Sequence, residues 1–226
     1  MQGAQGGFIV LMVSFVVIFV LLAISKVMVT NRRQQAVEDR VRQAGWQVVA
    51  VPDREIQELY SGKPDRPPGR GRVHNLITGR HRDRDFVVFT LGYTSGTGAS
   101  SRSRYFTHAA VPLPGPAPRV GIERRGTDRA TASRSGAQVF QLGEPEFDDG
   151  FTVFTDDEAF ARALLQPGLA AWLTGQPSVS PLVVDGSELR TWTRGGLSLD
   201  ELPHTLDYLC DAMERIPARV WPVPSD

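Results

Sequence analysis

Cysteine is almost absent from this 226-residue sequence, which contains only Cys210. A single cysteine excludes a disulfide within the chain and agrees with a reducing compartment. The motifs G-x-S-x-G, H-E-x-x-H and C-x-x-C are missing too, which removes the usual signatures of serine hydrolases, zinc proteases and dithiol oxidoreductases. Because no basic neighbour is evident, Cys210 is predicted to be a small, partly buried hydrophobic residue rather than a nucleophile.

Zinc-ligand spacing is also missing. The four histidines are scattered along the chain, at His74, His81, His108 and His204. His74 and His81 flank a predicted turn, where a solvated surface pair is the expected arrangement. We therefore predict no metal ion and no cofactor. No internal repeat is visible either, which argues against a solenoid.

Residues 92–98, GYTSGTG, have the glycine content of a phosphate-binding loop. A P-loop also needs a following Lys-Ser or Lys-Thr pair, and a helix whose N-terminus faces the anion. Neither is present, since the next predicted element is a strand. This stretch is therefore predicted to be a flexible hairpin tip.

The densest acidic cluster comprises Asp148 and Asp149, followed by residues 156–158. Carboxylate oxygens of this kind can hold a hard cation. An EF-hand would need a different spacing, and residues 155–158 already fit a helix capping box, with Thr155 as the cap and Glu158 reaching back. The structural role is preferred, and no metal site is predicted.

The formal net charge is zero, but the two signs are separated along the chain. Residues 63–129 hold thirteen Lys and Arg against five Asp and Glu, whereas residues 130–226 hold six against fifteen. Two interpretations compete. Either the basic half lies against an anionic inner leaflet, or the two halves fold together and neutralise each other, which we favour slightly. The overall neutrality and the lack of a recognisable binding module argue against nucleic-acid binding.

The one long apolar run covers residues 8–29, FIVLMVSFVVIFVLLAISKVMV, and its first eighteen residues carry no charge. A helix of this length spans about 33 Å, enough for the hydrocarbon core of a bilayer. A cleaved signal peptide is the alternative. It is opposed by the absence of Lys and Arg from the first seven residues, by the length of the run and by the lack of an A-x-A-like site after it. We predict an uncleaved transmembrane anchor over residues 1–30.

Basic residues flank only one side of this run. Lys26, Arg32 and Arg33 lie at its C-terminal end, and no Lys or Arg precedes it. The positive-inside rule then places the N-terminus outside and the rest of the chain in the cytoplasm. The predicted localisation is therefore the inner (plasma) membrane, crossed by a single span.

After the anchor, residues 31–72 are predicted to form a juxtamembrane helix and a Pro- and Arg-rich linker, and residues 73–226 a single cytoplasmic domain. In the clearest strand, alternation places Val87, Phe89, Leu91 and Tyr93 on one face. A proline-rich turn is expected at 112–118 and an acidic turn at 144–150. Short strands are predicted at 73–78, 86–93, 104–111, 119–123, 139–142 and 151–154.

A helix is predicted after residue 155, and a last helix ends at Ile216. Pro203 fits the last helix only in its first turn. Between the two helices, Asp185-Gly186 predicts a hairpin. The expected fold class is α+β: one antiparallel-sheet domain with a capping helix near the middle and a C-terminal helix. A bent sheet or partial barrel, as in pleckstrin-homology-like modules, is one arrangement of these elements.

Several stretches occur in a recognisable order: the anchor, then Gly45-Trp46, then residues 72–94 and residues 151–173. The last two carry the markers N-x-x-x-G-x-x-x-x-x-x-F-x-x-F and D-x-x-x-A-x-x-L-L-x-P. The marker residues are Asn75, Gly79, Phe86, Phe89, Asp157, Ala161, Leu164, Leu165 and Pro167. The chain resembles an uncharacterised family of actinobacterial single-pass membrane proteins with a cytoplasmic domain of unknown function. Since that family has no assigned activity, the resemblance implies no catalytic residues.

The anchor and the lack of a catalytic set favour a membrane-anchored cytoplasmic binding or scaffolding domain. An enzyme with an unrecognised site is one alternative, and no nucleic-acid partner is predicted. The other alternative is contact with anionic lipid, or with another membrane protein, through the basic half. The arginines expected at such a contact are Arg66, Arg70, Arg72, Arg80, Arg82 and Arg84.

The anchor makes a direct prediction. The full-length protein should stay in the membrane pellet after alkaline carbonate extraction, because a spanning apolar helix holds lipid far more tightly than a peripheral contact does. N-terminal sequencing should show that the membrane-bound protein begins before Thr30. Recovery in the carbonate supernatant, or a mature chain that begins beyond Thr30, would contradict the anchor.

Overall fold

The computed structural model describes residues 35, 37–49, 71–95, 102–126 and 138–221. The predicted anchor over residues 1–30 lies outside these ranges, as do Arg66 and Arg70. In the described part of the chain, no helix has the length and apolar character needed to span a bilayer. The chain divides into two compact units, Met1–Ala44 and Gly45–Asp226. In the first unit, residues 37–43 are helical, as predicted.

The described strands of the second unit form one seven-stranded antiparallel sheet. Along the sheet their order is β1-β2-β3-β4-β6-β5, and β7 pairs with the other edge of β4. This confirms the predicted α+β class and the antiparallel sheet. The strands are β1 (Gln47–Val48), β2 (Gly71–His81), β3 (Arg84–Ser95), β4 (Arg102–Arg124), β5 (Gln138–Phe140), β6 (Phe151–Thr155) and β7 (Leu182–Arg194).

Helices follow the strands in the C-terminal half. They are α1 (Pro145–Gly150), α2 (Glu158–Leu165), α3 (Gly168–Thr174) and α4 (Leu202–Arg215), with a short 3₁₀ turn at Ala218–Val220. α4 packs against β4 and β7 through a stripe that includes the buried Leu206, Leu209 and Met213. Pro203 lies in its first turn, as predicted, where the missing N–H costs no helical hydrogen bond.

The longest strand, β4, is the centre of the sheet. Its first half pairs with β3 and with the end of β7, and its second half pairs with β6 and with the start of β7. Between the halves every second residue is an exposed proline: Pro112, Pro114, Pro116 and Pro118. Proline has no N–H to give to a ladder, and the register with β7 shifts here. The predicted turn at 112–118 is therefore wrong, since one bent strand replaces two strands joined by a turn.

The predicted hairpin at Asp185-Gly186 is also wrong, because β7 runs through it without reversing. Gly186 does adopt the left-handed backbone that the turn prediction required, with φ of +64°. This glycine lies opposite Ala117, where the register between β4 and β7 shifts. A left-handed glycine serves a β-bulge as well as a tight turn, and the local sequence does not distinguish the two.

Two local predictions beside the helices need correction. The expected acidic turn at 144–150 is largely the helix α1. The cap of α2 is Asp157 rather than Thr155, since the Asp157 carboxylate accepts a hydrogen bond from the Phe160 N–H at 2.9 Å. The Thr155 hydroxyl instead donates to the carbonyl of Arg119 at 3.0 Å, which ties β6 to β4.

One face of β3 forms a buried cluster, as predicted. Phe89, Leu91 and Tyr93 pack there with Leu76 of β2, and Val87 packs against them. Burying a large apolar side chain contributes about 1.5–3 kcal/mol to stability. This cluster therefore fixes β2 against β3.

Trp46 covers β2 at Gly79. A Cβ at position 79 would lie 2.6 Å from Cδ1 of Trp46 and 3.2 Å from the Phe86 ring, and the Trp46 and Phe86 rings meet edge to face with centroids 5.3 Å apart. Asn75 has a φ of +53° at the register shift in β2, a conformation that asparagine tolerates better than most residues. These three marker residues and Trp46 therefore have structural roles.

Replacing Gly79 by Ala should lower the free energy of unfolding by roughly 1–3 kcal/mol, because the indole must move to make room for the methyl group. The matched control is Gly150→Ala, where a Cβ meets nothing within 4 Å; that change should stay within about 0.5 kcal/mol. Urea unfolding followed by circular dichroism measures both. Equal stabilities for the two variants would show that the Trp46 contact does not constrain position 79.

Candidate functional site

Four of the six predicted contact arginines lie among the described residues, on β2 and β3 and the turn between them. The exposed Arg72 is near the start of β2, far from the other three. Arg80, Arg82 and Arg84 come together at the tip of the β2–β3 hairpin. Within that tip, Arg80 donates to the carbonyl of Asp83 at 2.9 Å and lies 3.3 Å from the carboxylate of Asp85. The structure thus places three of these arginines at one hairpin tip.

Arg82 reaches from the hairpin tip to the acidic face of α4. Its Nη1 lies 2.8 Å from Oδ1 of Asp211, and its Nη2 lies 2.7 Å from Oε1 of Glu214. Asp207 is 3.7 Å from Nη1, and His81 Nε2 is 2.8 Å from the same Asp207 oxygen. The three carboxylates share one helix face because their spacing is four and three residues. We call these five residues the clasp.

The clasp joins the basic half of the sequence to the acidic half. The hydrogen bond that Arg82 donates to Asp211 raises the pKa of Arg82 above the already high value of a guanidinium. Arg82 is thus committed to partners within the domain, in line with the interpretation that the two halves neutralise each other. An arginine held in this way can contact lipid only after the clasp opens.

The turn that presents Arg82 has an unfavourable backbone. Arg82 and Asp83 have φ values of +48° and +61°, a left-handed region that costs energy in every residue with a Cβ. Consecutive left-handed residues of this kind are typical of hairpin turns that usually carry Asn-Gly. The pairing of His81 with Arg84 on either side of the turn requires this backbone, whether or not Arg82 contacts α4. The ion pairs of the clasp are exposed and screened by solvent, so they hold the tip to α4 only weakly.

Cys210 lies beneath the hairpin tip. Its Sγ is 3.8 Å from the carbonyl oxygen of His81, and the residue is fully buried. Burial raises the pKa of the thiol, while the nearby Arg82 and Arg84 act in the opposite direction. The sequence predicted a partly buried hydrophobic residue, and the burial is complete. A protonated thiol out of contact with water does not serve as a nucleophile.

The acidic cluster has structural roles. Asp148 accepts hydrogen bonds from the backbone N–H groups of Leu142 at 2.9 Å and Gly143 at 2.8 Å, which closes the turn before α1. Asp157 caps α2. Among the described residues, no group of three or more His, Cys, Asp or Glu side chains is placed to hold a metal ion.

His74 and His81 lie far apart. They do not form a pair, because they sit near opposite ends of β2, roughly 23 Å apart for seven strand residues. His108 is buried on β4. The centroid of its ring lies 5.2 Å from that of Phe89 and 6.3 Å from that of Trp192. That position makes it part of the core.

A buried ion cluster on β7 was not predicted from the sequence. The side chain of Arg190 is fully buried, with Nη1 2.8 Å from Glu188 and Nη2 3.2 Å from Asp185. Arg119 of β4 lies 3.8 Å from Asp185. An arginine next to apolar strand residues, with two carboxylates within five positions, is the signal that could have identified it. The cluster lies beside the β4–β7 irregularity and holds both strands there.

Replacing Arg190 by Met should lower the free energy of unfolding by roughly 3–5 kcal/mol, because two poorly solvated carboxylates lose their counter-ion. Arg194→Met is the matched control on an exposed position of the same strand, with an expected change of about 1 kcal/mol or less. Chemical denaturation of both variants at neutral pH gives the comparison. Similar losses in the two variants would mean that the buried cluster does not hold β4 to β7.

A comparison with models of known protein families finds no match, and no curated protein matches the chain. Among solved structures, the chain is similar to the crystal structure of the mycobacterial trehalose monomycolate transport factor A, TtfA, with a TM-score of 0.57 and 13% sequence identity. The similarity covers 83% of this chain and 96% of that chain. At this level of identity the likeness establishes the fold, which this chain shares with nearly the whole of TtfA.

Proposed function

We propose that this protein is a membrane-anchored accessory factor in lipid transport, whose cytoplasmic α+β domain binds or scaffolds a transport protein of the same membrane. The observation that carries the proposal is the fold shared with TtfA over 96% of that chain. The apolar run at residues 8–29 supports the placement at a membrane. The charged faces of the domain support a binding role rather than a catalytic one.

The chemistry of the cargo explains why such a factor belongs at a membrane. A fatty-acylated sugar carries hydrocarbon whose exposure to water costs about 0.8 kcal/mol per CH₂ group, so it leaves a membrane only with the help of proteins that act at that membrane. An anchor over residues 1–30 holds the domain at the membrane. It also raises the effective concentration of the domain toward any partner in the same bilayer.

Deletion of the gene in its native host tests the proposal. Acylated sugars should accumulate in the inner membrane and become depleted at the cell surface, as measured by mass spectrometry of separated envelope fractions. The full-length protein should restore the distribution, whereas residues 31–226 alone should not, because they lack the tether.

A third complementing gene separates the anchor from the domain. Residues 31–226 fused to an unrelated transmembrane helix should restore transport if the domain carries the partner contact. An unchanged lipid distribution in the deletion strain would rule out a role in lipid transport. Full rescue by the untethered domain would show that anchoring is dispensable.

A further inference from the structure

The clasp bridges two parts of the chain that are far apart in sequence. Arg82 belongs to a hairpin tip, while Asp207, Asp211 and Glu214 belong to α4, more than 120 residues later. All four side chains are partly exposed, between 37% and 49% of their surface. Water and other anions therefore have access to the ion pairs, and the guanidinium can exchange one set of oxygen ligands for another.

The hairpin tip also contacts the buried cysteine. Beneath it lies Cys210, 0% exposed and 3.8 Å from the His81 carbonyl. Since this is the only cysteine of the chain, its exposure reports whether the tip is in place. No further cysteine needs to be introduced to make that measurement.

The balance between docking and release of the tip rests on exposed ion pairs. Solvent screens such pairs, so they favour docking only slightly. A competing anion for Arg82 therefore shifts the balance directly. An anionic membrane surface supplies such groups at high density, and it also attracts the neighbouring Arg80 and Arg84.

We propose that the clasp is a switch that an anionic lipid surface opens: lipid phosphates replace Asp207, Asp211 and Glu214 as partners of Arg82, and the β2–β3 tip leaves α4. The open state presents Arg80, Arg82 and Arg84 to the membrane and uncovers the part of α4 around Cys210. The proposal deepens the proposed function and rests on its placement of the domain at a membrane. The clasp itself can be tested without any assumption about transport.

The experiment measures the rate at which Cys210 of the full-length protein reacts with a maleimide. The protein is reconstituted in nanodiscs of phosphatidylcholine alone, or of phosphatidylcholine with phosphatidylglycerol. In the native chain, the anionic nanodiscs should speed labelling by roughly tenfold, and high salt should remove the difference. Equal rates in the two lipids would overturn the lipid-operated switch.

Two variants test the clasp from its two sides in the neutral nanodiscs. Arg82→Ser, and separately Asp211→Asn with Glu214→Gln, should each label roughly tenfold faster than the native chain, because docking is lost. Arg82→Lys should recover part of the protection. Loss of Arg82 also removes a charge that opposes the burial-raised pKa of the thiol, which by itself slows labelling. Acceleration in Arg82→Ser therefore reports exposure rather than thiol chemistry. In the second variant the loss of Glu214 removes a charge that raises the pKa of the thiol, so its acceleration supports the clasp only together with that of Arg82→Ser. Native rates in both variants would overturn the clasp.

Matched controls separate opening of the tip from general instability. Arg80→Ser removes an arginine of the same hairpin that bonds within the hairpin, so it should leave the labelling rate unchanged in neutral lipid. Asp157→Ala removes the cap of α2, which lowers stability without changing a residue of the clasp. If Asp157→Ala accelerated labelling as much as Arg82→Ser does, exposure would proceed by global unfolding and the switch would be wrong.

The outcomes distinguish this switch from the proposed function. A deletion strain with normal lipid transport, together with lipid-dependent labelling, would reject the transport role and keep the switch. Defective transport with labelling that ignores lipid charge would keep the transport role and reject the switch. The two experiments share no readout, so failure of one does not decide the other.

Discussion

The fold depends on one strand that must satisfy partners along both edges. β4 runs for 23 residues and pairs with β3 and β6 on one side and with β7 on the other. A run of prolines in its middle cannot donate to either ladder. The strand therefore bends there without ending, and the two ends of the sheet are joined through it. Buried Arg190 and its carboxylates hold β7 to β4 beside that bend, where backbone pairing is weakest.

This arrangement also decides how the charges meet. Because β7 lies along β4, the helix that follows β7 packs against the sheet. Its acidic face thereby comes to the β2–β3 tip, so the basic and acidic halves of the sequence meet there as well as at the pair of Arg119 and Asp185. Under the proposed switch, the two interpretations of the charge asymmetry would be consecutive states of one surface, in which Arg82 contacts α4 first and lipid after the tip leaves the helix.

Local features of the fold were readable from the sequence, and features set by distant pairing were not. Alternation identified the buried face of β3, and the first-turn rule placed Pro203. Gly186 shows the limit, since a left-handed glycine after Asp fits a hairpin and a bulge equally well until the partner strand is known. Arg190 and Arg82 show the same limit for the candidate site. The partners of Arg82 lie more than 120 residues away, and no local pattern encodes that distance.

The residues that carry the resemblance to a family and the residues that could carry function are different sets. Asn75 and Gly79 shape β2, Asp157 caps a helix, and Phe89 fills the core, so these markers specify a fold. A residue that shapes the fold supplies no binding chemistry of its own, so function is sought on surfaces outside these positions. The hairpin tip is such a surface because its arginines are at least partly exposed. Its docking on α4 depends on weak charge pairs, which the proposed switch would exchange for lipid phosphates.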